Sequence, residues 1–318
     1  MDRNLALEFV RVTEAAAIAA SHWLGRGDKE AADKAAVEAM RSRLNDIEFR
    51  GTIVIGEGEK DEAPMLYIGE KVGRQPFDNQ VLPEFDIAVD PLEGTTLTAH
   101  GKPGAIAVIA FGTKGTFLDP PGTYMDQLTV GPEGKGLIDI TAPLEENIKK
   151  VAQASGKEPE EMTIAILERD RNQHYVDSAR RIGSRVILFE HGTVAHGIAP
   201  AISNWEIDMM IGIGGAPEAV ITAAGIKALG GDMQAILKPH SDEFLKQAQA
   251  KGMGDLNRVY KLNDLARDQT LFVATGVSAS PILNGVNFGK NYITTHSIMM
   301  RSKSGTVRFI EAHHKISG

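Results

Sequence analysis

Apolar positions along the chain follow two periods. Leu5, Phe9, Val12, Ala16, Ala19 and Trp23 recur at steps of three and four, which predicts a helix with one apolar face that stops at Gly25-Arg26-Gly27. A second helix begins near Asp28. Its apolar face reads Val37, Met40, Leu44 and Ile47, and the same spacing carried backwards lands on Asp33. A carboxylate therefore falls on the side predicted to be buried, where a metal or a basic group would relieve the cost. An acid in a first helical turn also complements the helix dipole unaided.

Short apolar runs predict strands at 52–55, 87–89, 106–111, 136–140, 163–167, 185–189, 207–213, 271–274 and 306–310, with helices over 143–154, 174–182 and 217–229. Strands alternate with helices after the first third, as in an α/β fold. The polar stretch 156–161 carries a proline and is the expected boundary between two halves, 1–158 and 159–318. No repeat of fixed period and no low-complexity tract interrupts the pattern.

Two of these strands run into acids. Thr52-Ile53-Val54-Ile55 is followed by Gly56-Glu57-Gly58-Glu59-Lys60-Asp61-Glu62, and Ile87-Ala88-Val89 by Asp90-Pro91-Leu92-Glu93-Gly94-Thr95. Pro91 cannot donate to a sheet ladder and Gly94 permits a tight turn, so Asp90 is expected where pairing ends. Two strands that both end in carboxylates suggest one shared cation site, because carboxylate oxygens are the ligands that Mg²⁺ and Mn²⁺ prefer. Asp, Pro and Gly are equally ordinary turn residues, and an acidic loop needs no metal.

In the second half, Gly212-Ile213-Gly214-Gly215-Ala216-Pro217-Glu218 follows an apolar strand and opens a helix. A dinucleotide loop is excluded, since the third glycine of that fingerprint would fall on Pro217. Glu218 then stands in the opening turn, a favourable place for an acid in any protein. Arg169 and Arg171 lie just past a strand, where they form either a phosphate anchor or a solvated basic turn. Tyr124, near Pro121-Gly122, offers a phosphate a hydroxyl or packs its loop.

Composition narrows the chemistry. The 318 residues are 42% hydrophobic, enough for a sizeable core, and the formal net charge of -8 argues against general affinity for nucleic acid or anionic membrane. An anionic substrate therefore needs local positive charge. There is no cysteine, which excludes disulfides, thiolate zinc sites and a cysteine nucleophile. The N-terminus lacks the regions of a signal peptide and no apolar run reaches membrane-spanning length, so a soluble cytoplasmic protein is expected.

Asp90-Pro91-Leu92-Glu93-Gly94-Thr95 resembles the signature of the lithium-sensitive, metal-dependent sugar and inositol phosphatases, and Glu93, where most of that superfamily carries Asp, points to the class II fructose-1,6-bisphosphatases. The similarity continues through Gly25 to Lys29, Gly51 to Glu59, Asp61 to Glu70 and Gly212 to Glu218. The resemblance implies an α/β fold of layered α-β-α-β-α type and hydrolysis of the 1-phosphate of fructose 1,6-bisphosphate, a step of gluconeogenesis, with Mg²⁺ or Mn²⁺ as cofactor. It implies metal ligation by Asp33, Glu57, Asp90, Glu93 and Glu218, and substrate contacts from Glu93, Gly94, Thr95, Tyr124, Arg169, Arg171 and Gly215. Thr95 would orient the attacking water, with Glu59 or Asp61 as proton acceptor. A homo-oligomer, dimer or tetramer, is expected as well.

Two departures bear on selectivity. Members of that family usually carry Asp-Gly-Asp where this chain reads His191-Gly192-Thr193, and Asp170 replaces a usual proline between Arg169 and Arg171. All four positions are expected at the sugar, with acceptors for its hydroxyls lost. Sedoheptulose 1,7-bisphosphate and an inositol phosphate are the alternative substrates. A catalytically silent, metal-stabilised binding protein is the alternative of another class.

Overall fold

The computed structural model describes residues 5–58, 65–74, 82–202 and 206–316. In chain order these form α1 (Leu5–Ser21), α2 (Lys29–Asn45), β1 (Arg50–Ile55), β2 (Lys71–Val72), β3 (Glu84–Glu93), α3 (Thr95–His100), β4 (Ile106–Gly112), β5 (Tyr124–Val130) and α4 (Leu144–Ser155). There follow β6 (Thr163–Leu167), α5 (Gln173–Arg181), β7 (Arg185–Phe189), α6 (Thr193–Ile198), β8 (Met209–Gly215), α7 (Ala216–Leu229) and β9 (Asp232–Lys238). The chain closes with α8 (Asp242–Ala250), β10 (Val259–Lys261), α9 (Leu262–Leu265), β11 (Thr270–Gly276), β12 (Asn287–Phe288), β13 (Tyr292–Arg301) and β14 (Thr306–Lys315). Among the described residues no helix is long and apolar enough to cross a membrane.

The fold is α/β and divides into two compact units, Met1–Phe117 with Gln269–Gly318, and Leu118–Asp268. The stretch 156–161 therefore does not separate two halves. Gly156, at φ 66°, caps α4, and Pro159–Glu161 forms one 3-10 turn inside the second unit.

In the first unit α1 and α2 pack on a mixed sheet of order β12-β13-β11-β4-β3-β1-β2, with β14 paired to β13. Phe9 stacks on Phe111 at 3.7 Å and meets Phe49 edge-on at 5.3 Å, so the predicted apolar face of α1 closes on β3 and β4. Burial of such a ring stabilises by about 1.5–3 kcal/mol. The parallel pair β1–β3 lies towards the β2 edge of this sheet.

The second unit is built on a sheet of order β10-β9-β5-β8-β6-β7. α4 and α5 cover one face through Ile148, Val151, Val176 and Ala179. On strand β8 Met209 and Ile211 point to that side, whereas Met210 lies against Gly197 of α6 on the other. The unit is thus a helix–sheet–helix sandwich.

One predicted strand is absent. Residues 136–140 form a loop, entered at Gly136 with φ 76°. Gln234 supplies the pairing a neighbouring strand would give, taking the amide of Ile140 on its Oε1 and donating from Nε2 to the carbonyl of Ile138. Ile138 and Ile140 are consequently buried without a ladder. Strands β2, β5, β9, β10, β12 and β13, and the second half of β14, were not predicted from the pattern.

Candidate active site

In the first unit the acids collect where two strands run out side by side. β1 and β3 are parallel neighbours, and their last register pair is Ile55 with Ala88. Glu57 and Asp90 each stand two residues beyond that pair. The two strands that run into acids are thus neighbours, which the sequence alone could not show, and their parallel direction sends both acids to the same end of the sheet.

Pairing does not stop at Asp90, contrary to expectation. On the β4 side Asp90 still pairs with Val108, and the ladder resumes at Glu93 with Ile106 after a bulge. Pro91 has no amide to donate, so Pro91-Leu92 is looped out and Asp90 Oδ1 takes the Leu92 amide at 3.1 Å. The bulge turns the chain into Glu93, which is 5% exposed, and then into Gly94 at φ 97°. A Cβ at Gly94 would sit 3.3 Å from the Ala105 backbone, so only glycine fits comfortably. Thr95 follows as the half-buried first residue of α3.

α2 brings Asp33. Asp28 caps that helix by accepting from the Ala31 amide at 2.9 Å, and the preceding turn is fastened to α3 by Gly25 and Gly27 amides donating to the carbonyls of Thr98 and Ala99. Asp33 is half-buried, and burial raises its carboxyl above the ordinary carboxylate value. Glu57 is pushed up to about 7, first by burial and then by the negative charge of Asp33. Neither side chain has a basic partner among the described residues.

A buried carboxyl raised further by a neighbouring one is the donor chemistry of a hard divalent cation, which commonly takes only one or two protein carboxylates. The residues present fit such an ion. Among the described residues, however, no group of three or more Asp, Glu or His stands close enough to hold one. Glu59 and Asp61, the expected proton acceptors, lie outside the described residues.

The second unit carries the basic residues. Arg171 has its guanidinium carbon 4.3 Å from the centre of the Tyr124 ring, and its Nε donates to the Ile213 carbonyl at 3.1 Å. Buried Asn172 fixes the same point, accepting the Ile213 amide at 2.8 Å and donating to Leu167. Arg169 donates from Nη1 to the Glu168 carbonyl, and its Nη2 lies 3.5 Å from His191 Nδ1. Asp170 between them is exposed.

Gly192, at φ 90°, opens α6, and Thr193 is 9% exposed with its methyl directed at Gly214. Gly215 begins α7, and the Glu218 carboxylate lies where a Cβ on Gly215 would fall. Burial raises that carboxyl. The structure thus pairs Tyr124 with Gly215 on neighbouring strands and sets Arg171, from the 3-10 turn after β6, over the Tyr124 ring, with Arg169 beside His191.

Two residues escaped the sequence reading. Glu70, 4% exposed, accepts from Arg41 Nε at 2.6 Å and from the Leu66 amide, and Leu66 in turn accepts the Glu57 amide at 3.1 Å. Asp126, 6% exposed, accepts from Tyr175 Oη at 2.6 Å. A single polar position in an apolar strand was the only available signal for Asp126, and it does not name the partner.

A family model described as bacterial fructose-1,6-bisphosphatase, glpX-encoded, matches residues 3–314. The chain is 46% identical over 327 residues to fructose-1,6-bisphosphatase 1 class 2 of Escherichia coli strain K12, covering 99% of this chain and 96% of that one. The same identity and coverage are found with the class 2 fructose-1,6-bisphosphatases of Escherichia coli O6:H1 and Shigella flexneri.

Proposed function

Because this chain belongs to the class 2 fructose-1,6-bisphosphatases, we propose that it hydrolyses the 1-phosphate of fructose 1,6-bisphosphate to fructose 6-phosphate and phosphate. The carrying observation is the placement of Glu57 and Asp90, each two residues past the last pair of two parallel strands. A divalent cation is required, and Mg²⁺ or Mn²⁺ suits an all-oxygen donor set.

Asp33, Glu57, Asp90 and Glu93 are assigned to hold cations, and Glu218, raised by burial like Asp33, is assigned the same kind of role. When bound, the cations would polarise phosphoryl oxygens and lower the pKa of water. The protein's own part is to position. The bulge at Pro91-Leu92 and the left-handed Gly94 set the angle between Glu93 and the Thr95 hydroxyl, which orients the attacking water. Glu59 or Asp61 accepts its proton. Gly94 and Gly215 let a phosphate oxygen or sugar hydroxyl approach backbone, and Tyr124, Arg169 and Arg171 hold the phosphate that does not react. Asp170, His191, Gly192 and Thr193 are assigned to the sugar. A homo-oligomer acting in the cytoplasm belongs to the same proposal.

Phosphate release from fructose 1,6-bisphosphate is the test. Activity should vanish with chelator and return with Mg²⁺ or Mn²⁺. Full turnover by protein shown metal-free by elemental analysis would rule the mechanism out, and a metal-loaded but inert protein would favour the silent binding reading.

A further inference from the structure

Strand β5 runs between β8 and β9, so Tyr124 has a register partner on each side: Gly215 on one, Lys238 on the other. Directly opposed residues of antiparallel strands project to the same face. Lys238 therefore rises from the sheet on the face that carries the Tyr124 ring, where Arg171 lies 4.3 Å above its centre and His240 packs at 4.8 Å. Lys238 is exposed, and among the described residues its ammonium has no hydrogen-bond partner.

The surroundings fix the backbone that carries this lysine. Thr123 Oγ1 stands 3.5 Å from the Lys238 carbonyl and 3.0 Å from His240 Nδ1, and the His240 amide donates back to Thr123 Oγ1 at 3.2 Å. Asp126, two residues along β5 and on the same face as Tyr124, is anchored by Tyr175. Lys238 and His174 both act to lower the Asp126 carboxyl against the burial that raises it, which puts their charges within electrostatic reach of it. In a chain of net charge -8, Arg171, Lys238, His174 and His240 make this stretch locally receptive to an anion.

We propose that Lys238 is a further substrate-binding residue, its ammonium donating to the phosphate that stays on the sugar. The inference rests on reading the chain as a sugar bisphosphatase. Arg171 offers that phosphate a planar, directional fork, whereas Lys238 offers a mobile point charge from the opposite neighbour of Tyr124.

Lys238→Met and Lys238→Arg should be compared with the parent on two substrates, fructose 1,6-bisphosphate and fructose 1-phosphate, which lacks the retained phosphate. Lys238→Met should raise KM for the bisphosphate about 10–100-fold, the range for a lost hydrogen bond to a charged group. It should leave fructose 1-phosphate kinetics unchanged, and Lys238→Arg should recover most of the loss. Calorimetric binding of fructose 6-phosphate should weaken by a similar factor in Lys238→Met. An unchanged bisphosphate KM, or equal losses on both substrates, would overturn the proposal. If the parent released phosphate from neither sugar yet bound fructose 6-phosphate in a Lys238-dependent way, the site would stand and the hydrolytic reading would fall. If that binding were indifferent to Lys238, the site itself would fall.

Discussion

Glu70 receives Arg41 Nε at 2.6 Å on one carboxylate oxygen and the Leu66 amide on the other. Arg41 keeps 40% of its side chain in solvent, but Glu70 keeps only 5%. The two bonds have different consequences when cut. Glu70→Ala strands a buried amide and should cost about 1–3 kcal/mol, whereas Arg41→Ala leaves that amide satisfied and should cost less. Because the Leu66 carbonyl holds the Glu57 amide, Glu70→Ala should also weaken metal binding. Denaturant unfolding and metal titration of both variants check the order. Equal losses from the two would mean that the ion pair, not the Leu66 bond, holds the loop.

Asp90→Asn keeps shape and removes charge, so metal affinity and turnover should fall together. Thr95→Ala should leave metal binding nearly intact and slow turnover by about tenfold or more, since a hydrogen bond that positions water is lost. Calorimetry beside kinetics separates the two. Equal metal loss in both variants would make Thr95 structural.

His191 Nδ1 stands 3.5 Å from Arg169 Nη2, and Thr193 is turned towards Gly214. A carboxylate at position 191 would pair with that guanidinium, whereas one at 193 would face a strand. His191→Asp should therefore move the ratio of specificity constants for fructose 1,6-bisphosphate over sedoheptulose 1,7-bisphosphate, with little further change on adding Thr193→Asp. A ratio indifferent to both substitutions would remove this turn from sugar recognition.

His196 is buried, stacked on Phe189 at 3.8 Å, and bonded through Nδ1 to the Gly192 carbonyl at 2.7 Å. Burial lowers its pKa to about 4. A histidine held neutral when folded binds its proton first in the unfolded chain, so its contribution is complete above about pH 6.5 and fades as pH falls towards 4. The loss should approach roughly 3 kcal/mol across that window. His196→Gln should flatten the fall in unfolding midpoint between pH 6.5 and 4. The same slope in the variant would place the acid sensitivity elsewhere.

Local pattern alone determined the two opening helices, the strands 52–55 and 87–89, and the delivery of acids just beyond those two apolar runs, because period, proline and glycine act within a few residues. The motif around Asp90 identified the chemistry before any contact was known. Tertiary structure decided what depends on distant partners. β5 carries Asp126, Gln127 and Thr129 in a buried strand, a composition that reads as loop until Tyr175 takes up the aspartate and β8 and β9 pair its backbone. Residues 136–140 read as a strand until Gln234, nearly a hundred positions away, satisfies their backbone instead. β11 returns from the far end of the chain to pair with β4, so no boundary drawn along the sequence divides the two units. Lys238 is an ordinary surface lysine in sequence, and only the register of β9 on β5 sets it beside Tyr124. Pairing between distant strands carries no local signature, and this is why the acids just past 52–55 and 87–89 could be read from the sequence while the neighbour of Tyr124 on β9 could not.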